Sequence, residues 1–164
     1  MTATVEAYVG LGANIGDSVR VVEAAIGWLA AAEGCRATGR SSLYRTAAWG
    51  VTDQPHFINA VVRLETTLAA PDVLALLLRL EGQAGRDRAS GTRWGPRQLD
   101  LDLLLYGDAT IAVPGLRVPH PHIHERAFVL VPLAEVAPSL VIPGQGAVAE
   151  LLARVATADI EALR

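Results

Sequence analysis

Two aspartates, Asp100 and Asp102, are separated by one residue in an apolar stretch that otherwise resembles a β-strand. Asp is depleted in strands, so a role other than folding is indicated. Because side chains alternate along a strand, both carboxylates point to one face, with Cα atoms about 6–7 Å apart. Like charges at that distance raise one another's pKa unless a cation neutralises them. Oxygen ligands of this kind favour Mg²⁺, which completes its shell with phosphate oxygens.

The segment before the two aspartates is rich in arginine. Positions 79 to 97 contain Arg79, Arg86, Arg88, Arg93 and Arg97, with Glu81 and Asp87 as the only acidic residues. One guanidinium group can bind two phosphate oxygens at once through parallel N–H bonds. A cationic segment beside a metal-binding carboxylate pair suits transfer of a phosphoryl group from a nucleotide. In the alternative interpretation, the aspartates line the solvated face of an amphipathic strand and the arginines belong to a solvated loop.

The stretch G-L-G-A-N-I-G at 10–16 resembles a loosened dinucleotide-binding fingerprint. The standard motif requires G-x-G-x-x-G within a βαβ unit, and the third glycine here is one place late. We therefore expect a tight turn between a strand and a helix, in which the backbone can approach a ligand closely.

Three histidines, His120, His122 and His124, alternate with other residues in V-P-H-P-H-I-H-E-R. On an extended segment they would share one face and could bind zinc, although Pro119 and Pro121 make regular strand pairing unfavourable. The alternative is that His120, beside Arg126, donates a hydrogen bond to a phosphate, while His122 and His124 are ordinary surface residues.

Composition sets the class of protein. The hydrophobic fraction of 51% supports a core within a single domain, 1–164, and the net charge of −3 argues against nucleic-acid partners. The lone Cys35 excludes an intramolecular disulfide, and the chain shows neither a signal peptide nor an apolar run of about 20 residues that could span a membrane. We expect a cytoplasmic protein without membrane partners.

Periodicity and turn residues predict the order β-α-β-β-α-β, which is typical of a ferredoxin-like α+β fold with an antiparallel sheet and helices on one face. Further elements follow towards the C-terminus. The predicted strands are 5–11, 37–46, 56–68 and 99–106, and the predicted helices are 19–33, 71 to 82–85, 124–134 and 146–155.

Four blocks together resemble the 6-hydroxymethyl-7,8-dihydropterin pyrophosphokinase family. They are Y-V-G-L-G-A-N-I-G-D, S-L-Y-R-T with D-Q-P-H-F-I-N-A-V, R-W-G-P-R-Q-L-D-L-D-L-L-L-Y-G, and V-P-H-P-H-I-H-E-R-A-F-V-L-V-P-L. They occur in the family's order and extend over almost the whole chain. The resemblance implies transfer of pyrophosphate from ATP to the pterin's hydroxymethyl oxygen in folate biosynthesis. We expect the protein to be a monomer whose partners are these small molecules.

The resemblance also implies roles for particular residues. Two Mg²⁺ ions would lie between the ATP phosphates and Asp100 and Asp102. The implied ATP-binding residues are Arg86, Arg88, Trp94, Arg97, His120 and Arg126. The implied pterin-binding residues are Thr46, Phe57, Asn59, Asp100 and Phe128. The implied catalytic residues are Arg86, Arg97, Asp100 and Asp102.

The chemistry of these residues is consistent with a pterin site. Stacking between aromatic faces holds a flat heterocycle, and an amide such as that of Asn59 can bind its edge. Taken alone, Phe57 and Phe128 would each be core residues. The remaining alternatives are another Mg²⁺-dependent phosphoryl- or nucleotidyl-transferase on this scaffold, a non-catalytic binding domain, and a nucleic-acid-binding domain.

Overall fold

The computed structural model describes residues 3–46, 56–85 and 99–163 of the chain. The strands are β1 (Val5–Ala13), β2 (Cys35–Arg40), β3 (Tyr44–Thr46), β4 (Phe57–Thr66), β5 (Asp100–Tyr106), β6 (Ile111–Val113), β7 (Leu116–Val118), β8 (Val141–Ile142), β9 (Gly146–Ala147) and β10 (Ile160–Ala162). The helices are α1 (Ser18–Ala31), α2 (Ala70–Ala84), α3 (Ala127–Val136) and α4 (Val148–Leu152), with a 3₁₀ helix at Ile123–Glu125.

The main sheet has six strands in the order β10-β3-β4-β1-β5, with β2 also pairing with β4. All the pairings in the described part of this sheet are antiparallel. The ferredoxin-like α+β prediction is therefore confirmed. The dinucleotide-fold alternative is wrong for the first glycine-rich stretch, because that fold needs parallel strands on either side of a crossover helix.

The predicted strand 37–46 is two strands, and Ser41 explains the interruption. Its backbone N–H donates to the Val61 carbonyl oxygen at 2.9 Å, and its hydroxyl accepts from the Val61 N–H at 2.9 Å. A side chain thus replaces one ladder contact, and the chain resumes pairing with β4 as β3. The periodicity of the sequence does not show where a side-chain hydrogen bond replaces a backbone one.

The helix starts follow from capping chemistry. Asp17 caps α1, with Oδ1 accepting from the Arg20 N–H at 3.2 Å, and α2 begins with Pro71 and Asp72 in its first turn. Gly34 adopts φ +83° just beyond α1, in the left-handed region that glycine tolerates. Among the described residues, no helix is both long enough and apolar enough to cross a lipid bilayer.

The two faces of the sheet carry different cores. On one face, alternate strand residues such as Val9, Leu64 and Leu101 pack with α1 and α2. On the other, Tyr8 and Val61 pack with α3 and with the segment that follows it. The expectation that the helices share one face is therefore correct for α1 and α2 only. Apart from Glu135, the α3 segment is apolar, so its sequence does not indicate which surface it covers.

Candidate active site

Asp100 and Asp102 lie on the sheet face that carries α3. In the ladder between β1 and β5, Asp100 is opposite Gly12 and Asp102 is opposite Gly10. Directly opposed residues share a face, so both carboxylates stand beside positions that have no side chain. The intervening Leu101 and the following Leu103 are buried on the other face, as the alternation predicted.

An aromatic cavity of about 450 Å³ opens beside these carboxylates, a volume suited to a small ligand. It brings together five elements of the fold: β1, β3, β4, β5 and the start of α3. Its lining residues are Gly10, Leu11, Gly12, Thr46, Phe57, Asn59, Ala60, Asp100, Asp102, Arg126, Phe128 and Val129. All five residues expected at the pterin site therefore line one cavity.

Asn59 and Thr46 are both buried polar residues that line this cavity, with 7% and 5% of their surface exposed. Asn59 Nδ2 donates a hydrogen bond to Thr46 Oγ1 at 3.1 Å, which ties β4 to the end of β3. A buried amide has more hydrogen-bonding groups than this one contact satisfies. The remaining groups of Asn59 are available to the edge of a ligand in the cavity.

The two phenylalanines come from different elements, Phe57 from the first residue of β4 and Phe128 from the first turn of α3. Both are half-buried and line the aromatic cavity, and Phe128 also packs against the core on the α3 face. The guanidinium carbon of Arg126 lies 5.6 Å from the centroid of the Phe128 ring, within the range of a cation–π contact. The aromatic wall and the guanidinium of Arg126 are thus adjacent.

Glu135, at the other end of α3, fixes this helix to β3. Its Oε1 accepts hydrogen bonds from the Ser42 N–H at 2.9 Å and from the Tyr44 hydroxyl at 2.5 Å, and its Oε2 accepts from the Ser42 hydroxyl at 3.0 Å. Burial alone raises the pKa of Glu135. Hydrogen bonds from Tyr44 and Ser42, together with the nearby Arg40 cation, outweigh burial and bring this pKa below its ordinary value.

A second and more open cavity of about 590 Å³ lies between β5 and the hairpin formed by β6 and β7. We call it the hairpin cavity. It includes Asp102, which therefore lines both cavities. The other lining residues are Leu74, Leu101, Leu103, Ala112, Val113, Pro114, Gly115, Leu116, Arg117, His120 and Pro121.

His120 is held in the hairpin cavity by two contacts. Its backbone N–H donates to the Leu104 carbonyl oxygen at 2.9 Å, and its Nδ1 accepts from the His122 N–H at 3.2 Å. Burial lowers the pKa of His120, and Arg126 and His122 act in the same direction against the opposing effect of Asp102. The neutral ring therefore carries its hydrogen on Nε2, which can donate to a phosphate oxygen.

The three histidines do not converge as a zinc site. His122 Nδ1 instead contacts Glu125 Oε1 at 2.8 Å, while His124 lies in the 3₁₀ helix. No group of three metal-ligating side chains is found in the described parts of the chain. The Asp100 and Asp102 pair fits Mg²⁺ instead, because this ion needs only one or two protein carboxylates when phosphates supply further oxygens.

Four predicted site residues cannot be compared with the structure, and three residues that line the cavities were not predicted. Arg86, Arg88, Trp94 and Arg97 lie outside the described residues. Gly10, Gly12 and Arg117 line the cavities but were not predicted as site residues. Gly12 was assigned to a turn, whereas β1 continues to Ala13. The two-residue spacing of Gly10 and Gly12 was the available signal, because it places both on one face of a strand.

The fold and the paired cavities define a ferredoxin-like protein whose site suits metal-assisted transfer of a phosphate-containing group between two ligands. The model of the 7,8-dihydro-6-hydroxymethylpterin-pyrophosphokinase (HPPK) family matches residues 8–138. The chain belongs to this family.

Curated relatives agree with this family assignment. The chain is 47% identical over 155 residues to a 2-amino-4-hydroxy-6-hydroxymethyldihydropteridine pyrophosphokinase of Methylorubrum extorquens, covering 94% of this chain and 96% of the relative. It is 42% identical over 156 residues to a protein of the same name from Pseudomonas aeruginosa, covering 95% of each. These alignments extend over nearly the full length of both partners.

Solved structures support the fold. A crystal structure of an HPPK-DHPS triple mutant from Plasmodium falciparum matches with a TM-score of 0.74 at 15% identity. The match covers 93% of this chain and 42% of the solved chain. At this identity the likeness concerns the arrangement of the elements alone.

Proposed function

We propose that this chain transfers pyrophosphate from ATP to 6-hydroxymethyl-7,8-dihydropterin, giving AMP and the pterin diphosphate in folate biosynthesis. Family membership supports the reaction. One observation of the structure carries the proposal: Asp102 lies where the aromatic cavity and the hairpin cavity meet. Two ligands bound in these cavities would present their reacting groups to the same carboxylate.

The aromatic cavity suits the pterin. Phe57 and Phe128 offer ring faces for stacking, and the Asn59 amide offers hydrogen bonds to the edge of the heterocycle. Thr46 holds this amide in place. The hydroxymethyl group would then point towards Asp100 and Asp102.

The hairpin cavity suits the nucleotide. Leu74, Leu101 and Leu103 provide apolar surface, while Arg117 and His120 provide hydrogen-bond donors. The triphosphate would extend past Asp102 towards Arg126. The family resemblance adds Arg86, Arg88, Trp94 and Arg97 to the ATP-binding set, and assigns Arg86 and Arg97 to stabilisation of the transferred group.

The reaction requires in-line attack of the hydroxymethyl oxygen on the β-phosphorus of ATP. A new P–O bond forms to the pterin, the bond between the β-phosphorus and the α,β-bridging oxygen breaks, and AMP leaves with that oxygen. The alcohol proton passes to water. Two Mg²⁺ ions held by Asp100 and Asp102 would neutralise the phosphate charge. Arg126 and His120 would orient the phosphates through charged and neutral hydrogen bonds.

Several expectations accompany this proposal and rest on the sequence. They are a single domain over 1–164, a monomeric enzyme, a cytoplasmic location, and the absence of a nucleic-acid partner. The single cysteine supports the cytoplasmic location, and the net charge of −3 supports the absence of a nucleic-acid partner.

Identification of the nucleotide product tests the proposal. The protein is incubated with ATP, Mg²⁺ and the pterin alcohol, and the nucleotides are separated by chromatography. We expect AMP and pterin diphosphate in equal amounts. Release of ADP or of free pyrophosphate would indicate one of the other transferases on this scaffold, and no turnover would favour a binding domain.

A further inference from the structure

Gly12 occupies a central place in the floor of the aromatic cavity. It lies opposite Asn59 on β4 and opposite Asp100 on β5, so it separates the amide from the carboxylate. A Cβ atom placed at Gly12 would lie 3.0 Å from Asn59 Oδ1. Carbon and oxygen atoms rarely approach so closely without a shift of one of them. The backbone of Gly12 does not have a positive φ, so conformational freedom does not explain the glycine.

The Asn59 side chain has little freedom to make room for such a Cβ. It is 7% exposed, and its Nδ2 donates to Thr46 Oγ1 at 3.1 Å. Rotation of the amide away from Gly12 would lengthen this hydrogen bond. Displacement of the amide into the cavity would occupy space needed by a ligand.

We propose that Gly12 is a positioning residue, which leaves room for Asn59 Oδ1 so that this oxygen can accept from N–H groups on the edge of the bound heterocycle. The inference rests on the proposed function, because it assumes a pterin in the aromatic cavity. The contact with Thr46 uses one of the two hydrogens on Nδ2, and no hydrogen bond to Oδ1 is found among the described residues. Gly12 therefore favours a ligand that presents donors at this edge.

Gly10 provides an internal comparison on the same strand and the same face. The three atoms nearest to a Cβ at Gly10 would be side-chain carbons of Leu104, at 3.4 to 3.6 Å. These are ordinary van der Waals distances to an apolar side chain. The two glycines therefore differ in what an added methyl group would contact, while sharing strand, face and cavity.

The test compares Gly12→Ala with Gly10→Ala and with Gly27→Ala, an exposed α1 position with open space around it. For Gly12→Ala we expect the KM for the pterin to rise about tenfold, the effect of losing one buried hydrogen bond, with the KM for ATP changed less than about twofold. Gly10→Ala should raise the pterin KM by less than about threefold, and Gly27→Ala should leave both constants unchanged.

A double-mutant cycle separates positioning from a general structural effect. In an Asn59→Ala background, Gly12→Ala should have no further effect on the pterin KM, because the amide it displaces is absent. If Gly12→Ala lowers the melting temperature, Gly12→Ala with Asn59→Ala should restore it relative to Gly12→Ala alone.

Three results would overturn the inference: wild-type pterin KM in Gly12→Ala, an equal rise in both KM values, or an undiminished effect of Gly12→Ala without Asn59. Failure of the proposed function is a separate outcome. In that case the wild-type protein itself would form no AMP from ATP and the pterin alcohol.

Discussion

The same strands form both faces of the central sheet, but the two faces have different roles. The face towards α1 and α2 is filled by aliphatic side chains such as Val9, Leu64 and Leu101, most of them almost fully buried. The face towards α3 is divided. One part is a second core, and the other part presents glycine, amide and carboxylate groups to the aromatic cavity.

This difference shows how a short strand can combine stability and chemistry. In β5, Leu101 and Leu103 are anchored in the first core while Asp100 and Asp102 stand on the opposite face. The carboxylates thus inherit the rigidity of a packed strand. Substitutions on the two faces should therefore separate activity from stability.

The largest effect on activity is expected on the sheet face towards α3, which carries the aromatic cavity. The double variant Asp100→Asn with Asp102→Asn should lower kcat by about 10³-fold, because charge stabilisation at the transferred phosphates is lost. Steady-state assay of AMP formation measures this effect. The variant should remain folded, since neither carboxylate belongs to a hydrophobic core. Activity within fivefold of the wild type would contradict the role assigned to these carboxylates.

On the sheet face towards α1 and α2, Leu64→Ala should lower stability and leave substrate binding unchanged. Leu64 is fully buried, so its truncation should lower the free energy of unfolding by about 3 kcal/mol. Urea denaturation measures this change. At 15 °C the folded variant should keep the wild-type KM for both substrates. A selective change in the pterin KM would show that the two faces are not independent.

A smaller effect is expected at the hairpin cavity. Arg117→Gln should raise the KM for ATP about fivefold, a modest loss because this guanidinium is exposed to solvent. The pterin KM should not change. Arg36→Gln, which removes an exposed arginine paired with Glu65 far along β4, is the matched control and should alter neither constant.

The smallest effect concerns the attachment of α3 to β3. Glu135→Gln should lower the free energy of unfolding by about 0.5–1 kcal/mol at pH 7, since three hydrogen bonds at an exposed carboxylate are weakened. The folded state holds the pKa of Glu135 below its ordinary value. Its stabilisation is therefore present above the ordinary pKa and is lost as the pH falls through the lowered one.

Thermal or urea unfolding of the wild type and Glu135→Gln between pH 7 and pH 3 tests this dependence. The difference between the two proteins should shrink as the pH falls. A difference that stayed constant over this range would show that the carboxylate charge does not contribute.

The sequence predicts this comparison only in part. Alternation in L-D-L-D-L is a local property, so the opposite orientation of Leu101 and Asp102 followed directly from strand geometry. The side chain of Ser41 replaces a ladder contact with Val61, which is a tertiary effect without a local signal. The glycine-rich stretch at 10–16 predicted a turn, whereas Gly12 continues β1 and pairs with β4 and β5 on either side.

The site shows the same limit. The family resemblance, and not the residue type alone, indicated Phe57 and Phe128, since each by itself would be a core residue. That these residues line one cavity depends on α3 crossing to the face opposite α1 and α2. The apolar sequence of α3 is compatible with either face, so only the assembled fold determines this placement.

A crystal structure with the pterin alcohol, Mg²⁺ and a non-hydrolysable ATP analogue would test the central claim most directly. We expect the pterin between Phe57 and Phe128 with its edge on Asn59, the nucleotide in the hairpin cavity near His120, and the phosphates beside Asp102. A nucleotide in the aromatic cavity, or phosphates remote from Asp102, would contradict the proposal that the two substrates meet at this carboxylate.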